Sequence, residues 1–334
     1  MKTITIADVA KQSNVSKSTV SQYLNQRYEY MGEETKLRIE NAIAELGYRP
    51  NIVARSLKQK STTTIGVIVA NILHTFSTQV IRAIEDVCHE HDFHTIVCNA
   101  DDNPEKEKKY IEMLHAKQVD GIIIFPTGGN MEMFKRMKNS GYPLVIMDRL
   151  LEGLELPAVI LDNETAATLA VDHFVDRGYQ SIGIMTTSIA RNITPRVDRI
   201  KGYKKALEKH GIPVDDNYIK SLELDHFESA LEEMLSLQEP PRALLAGNDL
   251  ALMEILKYLK KKSLNIPEDV ALIGIDDVSF ASFYNPALTA VAQPAFKMGK
   301  QAADLLMRKI QDKDKAIDEE IHYFVPQLIK RDSC

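Results

Sequence analysis

Polar and cationic side chains line one face of a predicted helix near the start of the chain. Ser16 is a favoured N-cap residue, and the apolar residues that follow it, Val20, Tyr23 and Leu24, have the spacing of an inward face. The side chains predicted to face outward are Lys17, Ser18, Thr19, Ser21 and Gln22. A cation beside hydrogen-bonding groups is suited to contact phosphates and base edges in a major groove. An ordinary helical hairpin with a solvated face is the alternative.

Two further helices must position this one. The preceding residues carry an apolar stripe at i, i+3 and i+4 (Ile6, Val9 and Ala10), with Thr5 and Asp8 spaced as a capping box. Two short amphipathic helices joined by a brief polar turn make a helix-turn-helix unit. A third helix is predicted over residues 33–46 and ends at Gly47. Its inward positions are predicted to be Leu37, Ile39, Ile43 and Leu46.

The net charge of −6 is divided unevenly along the chain. Residues 1–60 contain ten Lys and Arg against six acids, whereas residues 61–334 contain 31 against 41. A cationic segment on an acidic body predicts that only this segment contacts a polyanion, because the body is repelled from it.

Composition and length predict a soluble globular protein of two or three domains, since 44% of the 334 residues are apolar and 26% are charged. No apolar run reaches the roughly 18 residues of a membrane span, and no secretory signal is visible at the N-terminus. The three cysteines, Cys88, Cys98 and Cys334, lack metal-ligand spacing and fit a reducing compartment. We therefore expect a cytoplasmic protein that needs no metal or cofactor.

From Thr64 onward, short apolar runs alternate with amphipathic helical patterns. Apolar strands that alternate with helices predict parallel sheets covered on both faces. There are too many strands for one compact sheet, and the pattern restarts near Asn163. The sequence therefore predicts an α/β body of two doubly wound parallel-sheet lobes, with a cleft at the carboxyl ends of the strands.

The chain resembles transcription regulators of the LacI/GalR family. The motifs that carry the resemblance are TIADVAKQSNVSKSTVSQYLN, LGYRPNIVARSL, VDGIII, IMDR, LDN, RIKGYKKAL, LLAGNDLAL, IGIDD and PALTAVAQP. They span most of the chain, and the first two are highly specific, whereas GND and GIDD are partly shared with periplasmic sugar-binding proteins. The resemblance implies an all-α helix-turn-helix head and a body of two lobes like those of periplasmic binding proteins.

The resemblance also implies where the parts divide. Residues 1–48 would form the DNA-binding domain, residues 49–61 a hinge helix or linker, and residues 62–334 the effector-binding and dimerisation domain. Within that domain we expect the first lobe to contain about 62–161 and 291–320, and the second about 162–290 and 321–334.

By this resemblance, Lys17, Ser18 and Gln22 read bases in the major groove. Many relatives carry Arg at the position of Gln22, and Gln favours adenine where Arg favours guanine. In the hinge, Leu57 is implied as an apolar wedge in the minor groove with Ala54 beside it, unless Leu57 merely packs on the body. The implied DNA contacts are Thr5, Ser16, Lys17, Ser18, Thr19, Ser21, Gln22, Asn25, Tyr48, Asn51, Ala54, Arg55 and Leu57.

A sugar-type effector needs donors and acceptors for its hydroxyl groups, and the predicted strand ends supply them. By analogy with the family, the effector contacts are Phe76, Ser77 and Thr78 on a loop of the first lobe, with Asp148, Arg199, Asn248, Asp276 and Gln293. The neighbours Arg149, Asp249 and Asp277 are better explained as helix caps or as supports of the crossing between lobes. Four cations in predicted loops could border the cleft (His74, Arg149, Arg191 and Arg196), although solvation is the simpler interpretation of Arg191 and Arg196. A sugar acid or sugar phosphate therefore stays open beside a neutral sugar or a nucleobase.

These features predict a regulator, most simply a repressor of carbohydrate or sugar-acid metabolism genes, that acts at the bacterial nucleoid. Its partners would be double-stranded operator DNA, a second copy of the chain and a small effector, with no membrane. Two heads on a pseudo-palindromic operator need a homodimer, and no heptad tail follows the second lobe. A regulator with a protein co-effector is one alternative. A transport protein would have no use for residues 1–60, and a sugar enzyme would need a base with a metal or phosphate loop that we do not find.

Overall fold

A computed structural model describes residues 4–49, 61–311 and 320–334 of the chain. The chain divides into two compact units, residues 1–62 and 63–334. The predicted hinge contacts Asn51, Ala54, Arg55 and Leu57 lie outside the described residues.

The described part of the first unit contains the predicted helices, α1 (Ile6–Gln12), α2 (Lys17–Leu24) and α3 (Glu33–Leu46). The backbone N–H of Thr5 donates to the Asp8 carboxylate at 2.8 Å at the start of α1. The hydroxyl of Ser16 accepts from the backbone N–H of Thr19 at 3.1 Å at the start of α2. The helices enclose a small core of Val9, Ala10, Val20, Met31, Ile39 and Ala42.

One predicted inward position of α3 is wrong. Leu37 is 60% exposed, whereas Ile39 is fully buried. Two residues along a helix are about 200° apart, so the face that buries Ile39 turns Leu37 toward solvent. The helix ends at Gly47, whose φ of 59° is the left-handed conformation that glycine adopts without steric cost.

The second unit alternates strands and helices in two lobes. The first series is β1 (Thr64–Val69), α4 (Thr75–Glu90), β2 (His94–Asn99), α5 (Pro104–Ala116), β3 (Gly121–Ile124), α6 (Met131–Asn139), β4 (Leu144–Met147) and β5 (Ala158–Leu161). The second is α7 (Asn163–Asp176), β6 (Ile182–Thr187), α8 (Thr194–Lys209), β7 (Ile219–Leu222), α9 (Phe227–Leu235), β8 (Ala243–Ala246), α10 (Asp249–Lys262), β9 (Ala271–Ile275) and β10 (Thr289–Ala292). The chain ends with α11 (Ala295–Gln311), β11 (Ile321–Phe324) and β12 (Gln327–Ile329).

Each lobe is built on one sheet, with strand orders β11-β5-β4-β3-β1-β2 and β12-β10-β9-β8-β6-β7. The described strand pairs are parallel except β10 with β12. The central strands β3, β4, β8 and β9 are buried along their whole length. This is the expected consequence of helices on both faces, and it explains why these strands are continuously apolar in sequence.

The described chain crosses between the lobes three times, at about residues 161–163, 292–295 and 324–327. Strand β11 pairs in parallel with β5 of the first sheet, and the whole of β10 belongs to the second. The prediction that put residues 321–334 in the second lobe is therefore wrong for β11, whereas β12 does pair with β10 of the second sheet. The returning first-lobe segment begins after β10 and not at 291. A parallel edge strand has no hairpin turn before it, so its local sequence does not indicate which sheet it joins.

None of the described helices is long and apolar enough to cross a membrane. Among the described residues, no three His, Cys, Asp or Glu side chains are grouped so that they could hold a metal ion. The three cysteines are free and buried.

Candidate functional site

The outer face of α2 presents most of the side chains predicted to contact DNA. Exposed residues on or beside this helix are Ser16, Lys17, Ser18, Gln22 and Asn25, whereas Thr19 and Ser21 are half-buried. Val20 is fully buried on the other side, which fixes the rotation of the helix. The surface therefore offers one cation and several uncharged hydrogen-bonding groups.

Asn25 and two further predicted DNA contacts, Thr5 and Tyr48, also have partners within the head. The Thr5 hydroxyl donates to the Asp8 carboxylate at 2.7 Å, and the Asn25 amide donates to the Ser21 carbonyl at 2.6 Å. Tyr48 is half-buried against the core of the head, and burial raises the pKa of its hydroxyl. Their contact with DNA stays a prediction.

The residues predicted to bind an effector come together between the two lobes. A narrow cavity of about 40 Å³ is lined by Ala70, Asn71, His74, Phe76, Ser77, Phe125, Asp148, Arg149, Ile193, Pro195, Arg196, Arg199, Asn248, Asp276 and Gln293. Every predicted effector residue except Thr78 is in this set. A larger groove of about 820 Å³ beside β11 contains none of them.

Four of the predicted residues follow the carboxyl ends of strands. Asp148 comes directly after β4, Asp276 after β9 and Gln293 after β10, and Asn248 is two residues beyond β8. The doubly wound fold therefore gathers them at one crevice. Asp148 and Asp276 have φ values of 68° and 91°, a left-handed region that non-glycine residues adopt rarely and that is concentrated at functional sites.

The first-lobe contribution comes from a helix and not from the predicted loop. Phe76 and Ser77 are buried in the first turn of α4, where Phe76 packs edge-on against Phe125 with ring centroids 6.3 Å apart. Thr78 is exposed, and its hydroxyl donates to the Thr75 carbonyl at 2.9 Å. Because Phe76 and Thr78 are about 200° apart around the helix, a turn that directs Phe76 inward directs Thr78 outward.

Arg199 is held by uncharged acceptors at the base of the cleft. Its Nε donates to Asn163 Oδ1 at 2.8 Å and its Nη1 to the Gly247 carbonyl at 2.6 Å. Burial lowers the pKa of Arg199, and the nearby carboxylates of Asp276 and Asp148 oppose this shift.

Buried Asp276 and half-buried Gln293 form a hydrogen-bonded pair in the cavity that Arg199 also lines. Burial, together with the charge of Asp249, raises the pKa of Asp276 to about 7. Gln293 Nε2 donates to Asp276 Oδ1 at 2.6 Å, while Gln293 Oε1 has no hydrogen-bond partner among the described residues. Asn248 caps α10 by accepting from the Ala251 backbone N–H at 2.8 Å.

Two ionic contacts join the lobes, and the one between Asp102 and Arg196 was not expected from the sequence. The Asp102 carboxylate accepts from Arg149 at 2.6 Å and from Arg196 Nη2 at 3.2 Å. Asp249 contacts His74 across the cleft at 2.5 Å, as expected of a residue that supports the crossing between lobes.

The interpretation of Arg196 as a solvated loop cation is wrong, because α8 begins at Thr194 and buries Arg196 within its first turn. Pro195, a residue favoured at helix starts, was the signal that could have shown this. Arg191 is exposed in a loop, as predicted.

A second chamber of about 160 Å³ adjoins the first and shares Asn71, His74 and Arg196 with it. Its other lining residues include Asp102, Thr187, Ser188, Glu223 and Arg191, the exposed loop cation that was considered as a border of the cleft. The fold and site thus define a ligand-binding body of two lobes in the same chain as a helix-turn-helix head.

Comparison with known proteins identifies this class. Residues 5–51 match the model of bacterial regulatory proteins of the lacI family, and residues 62–327 match that of periplasmic binding proteins and the sugar binding domain of the LacI family. The chain is 48% identical to a probable HTH-type transcriptional regulator, EndR, of Paenibacillus polymyxa, over 98% of both chains. It is 33% identical to the HTH-type transcriptional repressor PurR of Vibrio atlanticus, over 98% of this chain and 97% of that one.

The chain therefore belongs to the LacI family of bacterial transcription regulators and is a DNA-binding regulator, not an enzyme. Its fold also matches the Lac repressor dimer bound to operator and the anti-inducer ONPF, with a TM-score of 0.85, 24% identity and 99% coverage of both chains. This last likeness concerns the fold alone.

Proposed function

We propose that the protein is a sequence-specific repressor of carbohydrate or sugar-acid metabolism genes, controlled by a small sugar-type effector in the cleft between the lobes. The observation that carries this proposal is the cavity in which Asp148, Arg199, Asn248, Asp276 and Gln293 converge. Carboxylate, amide and guanidinium groups around an apolar wall suit a ligand with many hydroxyl groups. The wall is supplied by Phe76, Phe125 and Ile193.

We further propose that the repressor acts as a homodimer in the bacterial cytoplasm, on chromosomal operators. The described surface of α2 is short and carries the single cation Lys17, so one head offers few contacts to DNA. Two heads on a pseudo-palindrome double those contacts and fix the spacing of the half-sites. The Lac repressor, which has the same fold, is a dimer on its operator.

An effector can control such a dimer only by the difference between its affinities for two conformations of the body. We propose that binding changes how far the lobes close, and that this alters the separation of the two hinge segments in the dimer. Leu57 and Ala54 of each hinge would then engage or leave the minor groove together.

The test is the binding of fluorescent promoter fragments to the full chain at low salt, with and without a panel of sugars, sugar acids and sugar phosphates. We expect specific binding that at least one compound changes, and Lys17→Ala should weaken it. Lys205→Ala, which removes an exposed cation from the body, should leave it unchanged. Failure to bind any promoter fragment would overturn the proposal. Specific binding that no compound alters would instead favour a protein co-effector.

A further inference from the structure

We propose that Asp102 sets the charge class of the effector. Its carboxylate occupies the position between two buried arginines that an anionic ligand would otherwise take, so the cleft accepts a neutral polyhydroxylated ligand and disfavours sugar acids and sugar phosphates. This inference rests on the proposed function of the cleft and narrows its ligand.

The geometry of Asp102 is that of an anion held by both lobes. Oδ1 accepts from Arg149 Nη1 at 2.6 Å, and Arg149 follows β4 of the first lobe. Oδ2 accepts from Arg196 Nη2 at 3.2 Å, and Arg196 lies on α8 of the second lobe. The side chains of Arg149 and Arg196 are only 6% and 9% exposed. A ligand carboxylate or phosphate would seek this same pair of guanidinium groups.

The three buried arginines of the cleft already have partners within the chain. Besides Asp102, Arg149 has Asp148 Oδ2 at 3.6 Å from its Nε, and Arg196 Nη1 donates to the Ser188 carbonyl at 2.6 Å. Arg199 is satisfied by Asn163 and by a backbone carbonyl. An anion added between Arg149 and Arg196 would therefore lie against the Asp102 carboxylate, and Arg191, the exposed cation that lines the second chamber, is solvated and offsets little of that repulsion.

Asp102 can neutralise part of the charge of the two arginines only if its carboxylate is ionised. Burial alone raises the pKa of Asp102, but Arg149 and Arg196 outweigh burial and hold the pKa below its ordinary value. The carboxylate is therefore ionised at neutral pH and neutralises part of the charge of the two arginines.

One buried donor and one buried acceptor of the cleft lack a hydrogen bond within the described chain, and a ligand hydroxyl group could bind to either. Arg149 Nε is a buried donor without a hydrogen-bond acceptor among the described residues, and Gln293 Oε1 is a buried acceptor without a donor. A hydroxyl can accept from one group and donate to another, so a neutral polyol can satisfy both kinds of group.

The loop that carries Asp102 allows a clean test. Asp101 and Asp102 have nearly the same φ, 50° and 51°, and glycine adopts this conformation without strain. Asp102→Gly therefore removes the carboxylate and leaves space between the arginines. Asp101→Gly is the matched control, because Asp101 pairs with Lys106 at the surface and contacts neither arginine.

The experiment measures the affinity of the full chain for sulfate by calorimetry, and the shift of its thermal unfolding in sulfate against chloride at equal ionic strength. We expect Asp102→Gly to bind sulfate about tenfold or more tightly than wild type, the size expected of charge-assisted hydrogen bonds. Asp101→Gly should behave as wild type, and adding Arg196→Met to Asp102→Gly should abolish the gain. Equal sulfate affinity in wild type and Asp102→Gly would overturn the proposal.

A second variant and a sugar pair complete the test. Asp102→Asn removes the charge without creating space and should gain sulfate affinity in the same direction if the glycine variant does not fold. For matched pairs such as glucose and glucuronate, we expect Asp102→Gly to shift preference toward the acid. Preference of the wild type for the acid would contradict the proposal. Failure of the proposed repressor function would appear separately, as loss of response in the promoter assay, whereas the sulfate measurement tests Asp102 and its two arginines without DNA.

Discussion

Nδ1 of His74 and Oδ1 of Asp249 lie 2.5 Å apart although the two residues belong to different lobes. Asp249 also accepts from the backbone N–H of Thr75 at 2.6 Å, so its carboxylate joins the start of α10 to the start of α4. Both residues are largely buried, with side-chain exposures of 14% for His74 and 4% for Asp249. The contact therefore links the two lobes directly at the cleft.

Replacing this buried carboxylate should destabilise the body. We expect Asp249→Asn to lower the free energy of unfolding by about 1–3 kcal/mol at neutral pH, because the amide offers one acceptor oxygen instead of two. Burial raises the pKa of Asp249, but the contact with His74 and the backbone N–H groups of Thr75 and Leu250 together outweigh burial and hold the pKa below its ordinary value of 3.8. The stabilisation is therefore present above 3.8 and is lost as the pH falls through the lowered pKa.

Urea unfolding at neutral and acidic pH checks this prediction. The difference between Asp249→Asn and wild type should shrink in acid. Asp86→Asn is the control, since Asp86 is 48% exposed and pairs only with Arg82 on the surface of α4. If the difference in free energy of unfolding between wild type and Asp249→Asn did not change with pH, the charge of Asp249 would not contribute to stability.

Gln22 should determine one base of each half-site. Its side chain is exposed on α2, and a glutamine amide pairs well with adenine, whereas arginine prefers guanine. We expect Gln22→Arg to change the preferred base at that position, with discrimination of about 1–3 kcal/mol. Selection from randomised operators with wild type and variant measures this, and an unchanged preferred sequence would contradict it.

Asp276 should make the free energy of unfolding of the body decrease with rising pH over the range in which it titrates. Its pKa is raised by burial and by Asp249 from 3.8 to about 7, so the folded protein keeps a proton that the unfolded chain releases. This side chain therefore makes the free energy of unfolding fall as the pH rises from 3.8 to about 7. Asp276→Asn cannot ionise, and its amide oxygen can still accept from Gln293.

We expect Asp276→Asn to be more stable than wild type above neutral pH, by about 1–3 kcal/mol given that each pKa unit corresponds to about 1.4 kcal/mol. Denaturant unfolding at about pH 5 and about pH 8 measures this, because the linkage acts between these limits. If the free energies of unfolding of wild type and Asp276→Asn changed in parallel with pH, Asp276 would ionise normally in the folded state.

Gly202 is required by the close packing of α7 on α8. A Cβ atom at this position would lie 2.3 Å from the backbone oxygen of Glu164. Gly202→Ala should therefore force the helices apart and cost about 1–3 kcal/mol. Lys205→Ala on the same helix, which removes only an exposed contact with Glu164, should cost less than about 1 kcal/mol. Thermal unfolding that is equal for the two variants would contradict the prediction.

Most strands and helices of the body could be predicted because their signals are local. The continuously apolar runs that became β3, β4 and β8 are buried on both faces, and the polar residues after them, such as Asp148 and Asn248, reach one crevice because parallel strands end on the same side.

What could not be predicted depends on contacts between distant parts of the chain. The pairing of Asp102 with Arg196 spans 94 residues and exists only when the lobes approach each other. The assignment of β11 to the first sheet depends on which edge strand is free to pair, and no residue of Ile321–Phe324 encodes that choice. The outward orientation of Thr78 could not be predicted either, because it depends on the residue at which α4 begins.

The three crossings between the lobes restrict what an effector can transmit. Three short connections permit one lobe to swing against the other, but they resist sliding and separation. A bound molecule would therefore affect the rest of the chain through the angle between the two lobes. Compounds of different size that produce the same angle would give the same transcriptional response.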